Sequence, residues 1–398
     1  MADFSIPMAS IVVRRRRLRK GLVRRRLCAP ARPLRTVGPI FLVNFPPAFA
    51  LLKGMATAFL ELDGSFGEGG GQILRSSLAL SLLTGRPFRL SNIRAGRPKP
   101  GLQPQHLMSV RAATTVGQAK VRGDARGSRE LLFEPGRVAP GNYRFDIGTA
   151  GATGLVLHTL YLPLALRADA PSRLTLVGGT HVSTSPCFHF LQTTWRSYME
   201  QIGLRVRLHL RRPGFYPRGG GVVEAELQPA ARLQGLRARE RGPIRVSGFS
   251  AVAGLPDDIA RRQARRALHR LEQAGLEASL REERWEDGPG TVLAVVLETT
   301  PAPVLFFALG ERGKRAERVA DEAVDQALAY LRAAPAAVDA HSADQIVLPL
   351  ALAEGPSEFT VAAVTRHLLT NVEVIRRFTE RDIACEGEEG RPGAVRIA

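Results

Sequence analysis

Cysteine is scarce in this chain: Cys28, Cys187 and Cys385 are the only three in 398 residues, and no two form a CxxC pair. That excludes a disulfide framework and a thiolate metal site, and it suits a reducing, cytoplasmic setting. Long apolar runs are also missing. None approaches the roughly 20 residues that a membrane-crossing helix needs, so no membrane partner is expected. The chain has no HExxH pair, no GxSxG elbow and no reactive-cysteine signature, which removes the common zinc, serine and cysteine hydrolase chemistries. Lysine is rare, with five against 51 arginines, a skew that base composition explains as readily as phosphate recognition.

What is present in excess is positive charge, with a formal net charge of +19. Its distribution tempers the reading, because residues 1–54 alone carry +11 and the other 344 carry +8. A moderate basic excess fits a polyanionic substrate, and equally a basic soluble protein. The first 54 residues include Arg14–Arg17 and Arg24–Arg26. They read as a basic N-terminal extension, either disordered or a mis-assigned start, with Met55 as the true one. Length and a 44% apolar composition allow a large core.

From Met55 the sequence alternates strand-like and helical periods. Ala58–Asp63 reads as a strand, Gln72–Leu83 as a helix, and the loop "GEGGGQILR" (67–75) joins them. Two later stretches, Asp146–Leu166 and Phe215–Pro229, also pass from glycines into an apolar element, so three repeated β/α units are expected. Between 242 and 334 the pattern changes to β-α-β-β-α: Ile244–Phe249, Asp258–Ala274, Thr291–Glu298, Val304–Ala308 and Ala316–Leu331. The expected organisation is a large domain from 55–241 and 335–398, with 242–334 as an inserted small α/β domain.

Chemistry concentrates in two neighbouring loops. The glycine loop matches neither the GxxxxGK[ST] nor the GxGxxG pattern, yet it places Glu68, a hard-cation ligand type, where a helix start attracts anions, with Arg75 one turn into the helix. The stretch "RAGRPKPGLQPQH" (94–106) then sets Arg94, Arg97 and Lys99 among prolines that stiffen the loop. Clustered cations on a rigid loop suit a phosphate ligand, although a solvated face is the ordinary reading of any charge run. The eight histidines show no metal-ligand spacing. Spacing alone does not single out His367, which by default is a hydrogen-bonded histidine near the core.

Together, "LDGSFGEGGGQILRSSLALSLLTGRPFRLSNIRAGRPKPGLQPQH", "GFYPRGGG", "SADQIVLPLALA" and "HLLTN" resemble the RNA 3′-terminal phosphate cyclase family, in the same order from about Leu62 to the carboxyl end. The resemblance implies an α/β (α+β) fold whose large domain has three repeated units, each a four-stranded sheet plus two helices, with an inserted small α/β domain. It implies a ligase reaction in which ATP and Mg²⁺ or Mn²⁺ convert the 3′-phosphate of an RNA partner to a 2′,3′-cyclic phosphodiester, releasing AMP and diphosphate. By the same resemblance His367 is the nucleophile that becomes adenylylated, and an RNA(3′)pp(5′)A intermediate follows. Glu68 would carry the metal. Arg75, Arg94, Arg97, Lys99, Gln105 and His106 would hold phosphates of RNA or ATP, and His158, His341, Ser342, Ala343, Asp344 and Gln345 would border the nucleotide.

Three positions depart from the family pattern. His158 replaces a usual glutamine, His341 a frequent tyrosine, and His181 an aspartate or asparagine. Two alternatives stand beside the cyclase: a non-catalytic RNA-binding protein of ribosome biogenesis with the same fold, and an enolpyruvyl-transferase-like enzyme. An exposed strand edge would support a homodimer. A chain begun at Met55 is expected to fold and to keep full cyclase activity; a large loss on removing residues 1–54, measured with a 3′-phosphorylated RNA, would show that the arginines take part.

Overall fold

A computed structural model describes residues 58–183, 185–333 and 335–398, so the amino-terminal extension lies outside the described residues. The chain first lays down β1 (Leu60–Asp63), α1 (Gly71–Thr84), β2 (Phe88–Ser91), α2 (Pro104–Val116), β3 (Lys120–Arg122) and β4 (Leu131–Glu134). Their sheet runs β1-β2-β4-β3, with β1 and β2 parallel and the other pairs antiparallel. A parallel pair needs a crossover, and α1 supplies it.

The same plan returns twice. The second unit contains β5 (Asn142–Asp146), α3 (Thr153–Arg167) and β6 (Ser172–Gly178). A second helical segment follows, made of α4 (Phe188–Phe190), a π-helical stretch Leu191–Trp195 and α5 (Arg196–Gln201), and then β7 (Val206–Arg212) and β8 (Gly221–Leu227). Its sheet order is β5-β6-β8-β7. The third unit starts with β9 (Arg237–Ala238) and is then interrupted by β10 (Arg245–Ala253), α6 (Asp257–Gln273), β11 (Ala278–Trp285), β12 (Gly290–Glu298), β13 (Val304–Leu309) and α7 (Ala316–Arg332). It resumes with α8 (Ala340–Ala351), β14 (Ser357–Val361), α9 (Arg366–Phe378), β15 (Ile383–Glu386) and β16 (Gly393–Ile397), in sheet order β9-β14-β16-β15.

Three units are therefore present, but not where the glycines suggested. The "FYPRGGG" segment is the turn before β8 inside the second unit, and the third begins at β9. In the first two units a glycine-bearing loop joins the first strand to the first helix. In the third, the inserted block occupies that connection.

The inserted block also differs from its expected β-α-β-β-α pattern by one strand. β11, with sequence ASLREERW, carries too many charges to read as apolar alternation, yet it pairs in parallel with β10 at the sheet edge. Next to β10 on its other side, β12 has the opposite character. Val292, Ala294 and Val296 pack into the main core, while Leu293, Val295 and Leu297 join Val319, Ala323 and Val324 of α7 in a separate core. Successive side chains point to opposite faces, so a strand covered on both faces reads as the unbroken run VLAVVL.

In the main core, α1 is buried nearly all round, serines included, with Leu74, Leu78 and Leu82 inside. Leu78 is fully enclosed. Leu78→Ala is expected to lower unfolding stability by about 2–5 kcal/mol through the cavity it leaves, measured as an earlier urea midpoint.

Candidate functional site

The glycine loop bends where only glycine bends easily: Gly67 and Gly69 both have φ +57°. Its bareness also serves close packing. A Cβ on Gly67 would lie 2.1 Å from Thr370 Oγ1 on α9, and one on Gly71 would lie 2.4 Å from His106 Nε2 and 2.9 Å from Arg75 Nη1. The room left by these glycines is thus filled by protein side chains.

Thr370 accepts a hydrogen bond from the Glu68 backbone N–H at 3.0 Å. Asn371 accepts from Ser76 Oγ on α1 at 2.6 Å and donates to the Asp344 carbonyl on α8 at 2.7 Å. These bonds lock α9 against α1 and α8. The helix starts cleanly because the Thr365 side chain caps Leu368 N–H, and His367 then falls in the first turn, exposed, on the rim of a cavity of about 640 Å³. The Asp339 side chain caps α8 by accepting from the His341 and Ser342 amides, which sets His341, Asp344 and Gln345 on the same cavity.

Of the residues expected from the sequence, Arg75, His158, His341, Asp344, Gln345 and His367 all line this one cavity. Ser342 and Ala343 do not reach it and are buried. The rest of the set lies beside it, joined through Gly71. His106 is buried, its Nδ1 accepting from the Gln103 amide at 3.2 Å, and burial with Arg75 and Arg94 close by holds it neutral, near pKa 3. Gln105 accepts from Ala152 N–H at 3.1 Å and fastens the loop to α3. Arg94 donates to the carbonyls of Lys99 and Gly101; it closes its own loop. Lys99 is exposed.

Glu68, the expected metal ligand, is already engaged by protein groups. Its side chain is 5% exposed; Oε2 meets Arg97 Nη2 at 2.5 Å and Oε1 accepts from the Gln72 amide at 3.2 Å. Among the described residues no cluster of three His, Cys, Asp or Glu side chains forms a cation site. The residues present therefore do not fit a divalent ion held by protein alone.

Arg75 is different. Half-buried on the cavity wall, it makes no hydrogen bond or ion pair with any described residue, and burial lowers its pKa against the support of Glu68 and Asp344. A guanidinium so placed has donor groups free for an anion. Three other polar atoms of cavity-lining residues have no hydrogen-bond partner among the described residues: His158 Nε2, Ser185 Oγ and Gln345 Oε1. Buried polar groups are rarely left unpaired, so this cluster suits a polar ligand. His158 is neutral, pushed to about 3 by burial and then by Arg75, and it sits against the rings of Tyr161 and Trp195.

The sequence reading missed the far wall. Leu305–Leu309 of β13, with Glu311, Lys314, Glu322 and Gln326, come from the inserted block. Lys314 bonds the Leu309 carbonyl at 3.1 Å and pairs with Glu322 at 2.5 Å. The glycine-flanked run "GERGKR" (310–315) was the available signal.

Asp344 carries the site's electrostatic strain. Burial pushes its carboxyl up to about 6, although His367, His341, Gln72 and Arg75 all favour the charge. An unfolded carboxyl titrates near ~3.9, so the folded state binds the proton more tightly, and stability falls as pH rises from about 4 through 6. Asp344→Asn is accordingly expected to melt higher than wild type at pH 8, with the difference gone by pH 4; a lower melting temperature at pH 8 would contradict this.

The chain matches the protein family described as RNA 3′-terminal phosphate cyclase over residues 66–385. A Salmonella typhimurium protein named RNA 3′-terminal phosphate cyclase is 44% identical over 331 residues, covering 83% of this chain and 96% of the relative. Proteins of the same name from Ectopseudomonas mendocina and Ralstonia nicotianae are 45% and 46% identical, each over 331 residues, and cover 82% and 83% of this chain and 94% of each relative.

Proposed function

Because this chain belongs to the RNA 3′-terminal phosphate cyclase family, we propose that it closes an RNA 3′-phosphate into a 2′,3′-cyclic phosphodiester at the expense of ATP. The observation that carries this reading is the convergence of His367, Asp344 and the unpaired Arg75 on one cavity.

The nucleotide occupies the 640 Å³ cavity. Its base lies toward the mixed wall of β13, α3 and α8, where His158 Nε2, Ser185 Oγ and Gln345 Oε1 await partners. Arg75 takes oxygens of the phosphate chain. A nitrogen of the His367 imidazole attacks the α-phosphorus; an N–P bond forms and the bond to the diphosphate oxygen breaks. Imidazole is a suitable nucleophile because it is available neutral near pH 7 and leaves readily from the phosphoramidate. Asp344, whose charged form His367 favours, supports the positive charge that develops on the ring during the attack.

An oxygen of the RNA 3′-phosphate then displaces His367 from the adenylate, giving the RNA(3′)pp(5′)A anhydride. Finally the 2′-hydroxyl attacks the 3′-phosphorus, loses its proton and expels AMP. Attack by a hydroxyl already tethered beside the phosphorus is effectively unimolecular. Arg97 and Lys99, on the loop beside Arg75, steer the RNA end. A divalent ion would enter with the triphosphate, since Glu68 is engaged by Arg97. The inserted block and the three-unit body act here as two walls of one site, in keeping with the proposed division at 241/242 and 334/335. No helix among the described residues is long and apolar enough to cross a membrane.

Incubation with α-labelled ATP separates this reading from a non-catalytic RNA-binding role and from an enolpyruvyl transfer, neither of which adenylylates a histidine. Wild-type protein is expected to take an acid-labile label and His367→Ala none. Arg75→Ala should slow labelling roughly 10–100-fold, the loss of one or two charge-assisted hydrogen bonds. Label that persists in His367→Ala, or folded wild type that takes none, would overturn the assignment.

A further inference from the structure

We propose that the turn Tyr216–Gly219 is a stacking platform for a base of the RNA strand, upstream of the 3′-phosphate. The proposal deepens the cyclase reading and rests on it.

Tyr216 is 78% exposed, the highest among the large apolar side chains left in solvent in the described structure, where the next, Phe66, reaches 51%. A tyrosine presented this openly gains nothing from packing, and its hydroxyl has no hydrogen-bond partner among the described residues. The backbone beneath it is nevertheless held firmly. Phe215 is buried, stacked on His181 with ring centroids 5.2 Å apart, and so close to β12 that a Cβ on Gly290 would lie 2.1 Å from its ring. The turn is closed by the Gly219 amide donating to the Phe215 carbonyl at 2.7 Å. Gly219 and Gly220 take positive φ of +65° and +69°. The Gly220 carbonyl is held by Arg212 Nε at 2.7 Å. One residue is anchored inward so that the next is fixed outward, which is the preorganisation a binding ring needs.

The position of the turn ties it to the reaction centre. A Cβ on Gly219 would lie 2.7 Å from Thr149 O and Ala150 Cα. The same strand-to-helix loop continues to Gly151, where a Cβ would lie 3.0 Å from Gln105 Cβ, and to Ala152, whose amide bonds Gln105 Oε1. Gln105 neighbours His106, which packs on Gly71 beside Arg75. An unbroken run of contacts thus leads from the phosphate-holding arginine to the exposed ring.

Charge agrees with chemistry: Arg218, exposed and without a bonding partner among the described residues, lies in the same turn as Tyr216, and Arg212 is bonded to the Gly220 carbonyl at its end. A flat ring with adjacent guanidinium groups is the combination that holds single-stranded nucleic acid without base preference. It would let one enzyme accept RNA ends of any sequence.

The test uses the full chain and a fluorescein-labelled single-stranded RNA ending in a 3′-phosphate. Binding is read by anisotropy, cyclisation by KM for RNA, and adenylylation of His367 in parallel. Tyr216→Ala is expected to raise Kd and KM for RNA about tenfold, the order of one lost stacking contact, with label uptake from ATP and melting temperature as in wild type. Tyr216→Trp and Tyr216→Phe should bind as wild type does. RNA binding unchanged in Tyr216→Ala, or Tyr216→Phe as weak as Tyr216→Ala, overturns the platform. A change in oligomeric state in Tyr216→Ala with RNA affinity intact also overturns it, in favour of an interface between copies. Failure of the cyclase reading looks different, since there the wild type itself takes no adenylate.

Discussion

The seat of α9 on the glycine loop is the constraint from which the rest of the site follows. Thr370 receives the Glu68 amide, Asn371 bridges Ser76 and the Asp344 carbonyl, and Gly67 leaves no space for a side chain between loop and helix. Segments about 300 positions apart in sequence are thereby fixed in one frame: the loop with the arginine one turn beyond it, and the histidine one turn before Thr370. The proposed nucleophile gains from being exposed, and the arginine proposed to bind the anion gains from being partly buried. Rigid docking of α9 allows both at once, because His367 stands at the free end of a helix whose body is buried.

The threefold plan explains how such a frame arises. Each unit folds as strand, helix, strand, helix and two further strands, with the same sheet order and the same single parallel pair. The units meet around α1, which packs with α3 and with α9, and α9 in turn packs on α8. The connection that elsewhere is a glycine loop expands in the third unit into the inserted block. That placement brings β13 and Lys314 to the cavity. β12 cements the arrangement by giving alternate side chains to two cores.

Much of this was legible in the sequence wherever a local pattern carried it. Strand β1, helix α1 and both helices of the inserted block came close to their observed bounds because periodicity and glycine stops are local signals. β11 was hidden by its charges. The Phe215–Pro229 segment was misplaced because its glycines answer a tertiary demand, the backbone of Thr149–Ala150 pressed against Gly219. The candidate set was reached by resemblance more than by spacing: nothing local distinguishes His367 from the other seven histidines, and its neighbours Arg75, His158 and Asp344 are remote in the chain. Nor does any local rule show that Arg94 spends its donors on its own loop, or that Ser342 and Ala343 turn inward.

Arg75 and Asp344 carry opposite charges near one another, yet the described contacts include no ion pair between them. Had they closed onto each other, each would have satisfied the other, and the cavity would hold a neutral, quiet wall. Kept apart, each retains a cost of burial that its neighbours only partly offset: a guanidinium whose charge is disfavoured, and a carboxyl raised to about 6. In the proposed reaction, a phosphate brought to the first and positive charge developing on the imidazole beside the second would relieve both costs at once. The folded protein holds that tension only because α1, α8 and α9 are fastened by bonds that do not involve either group.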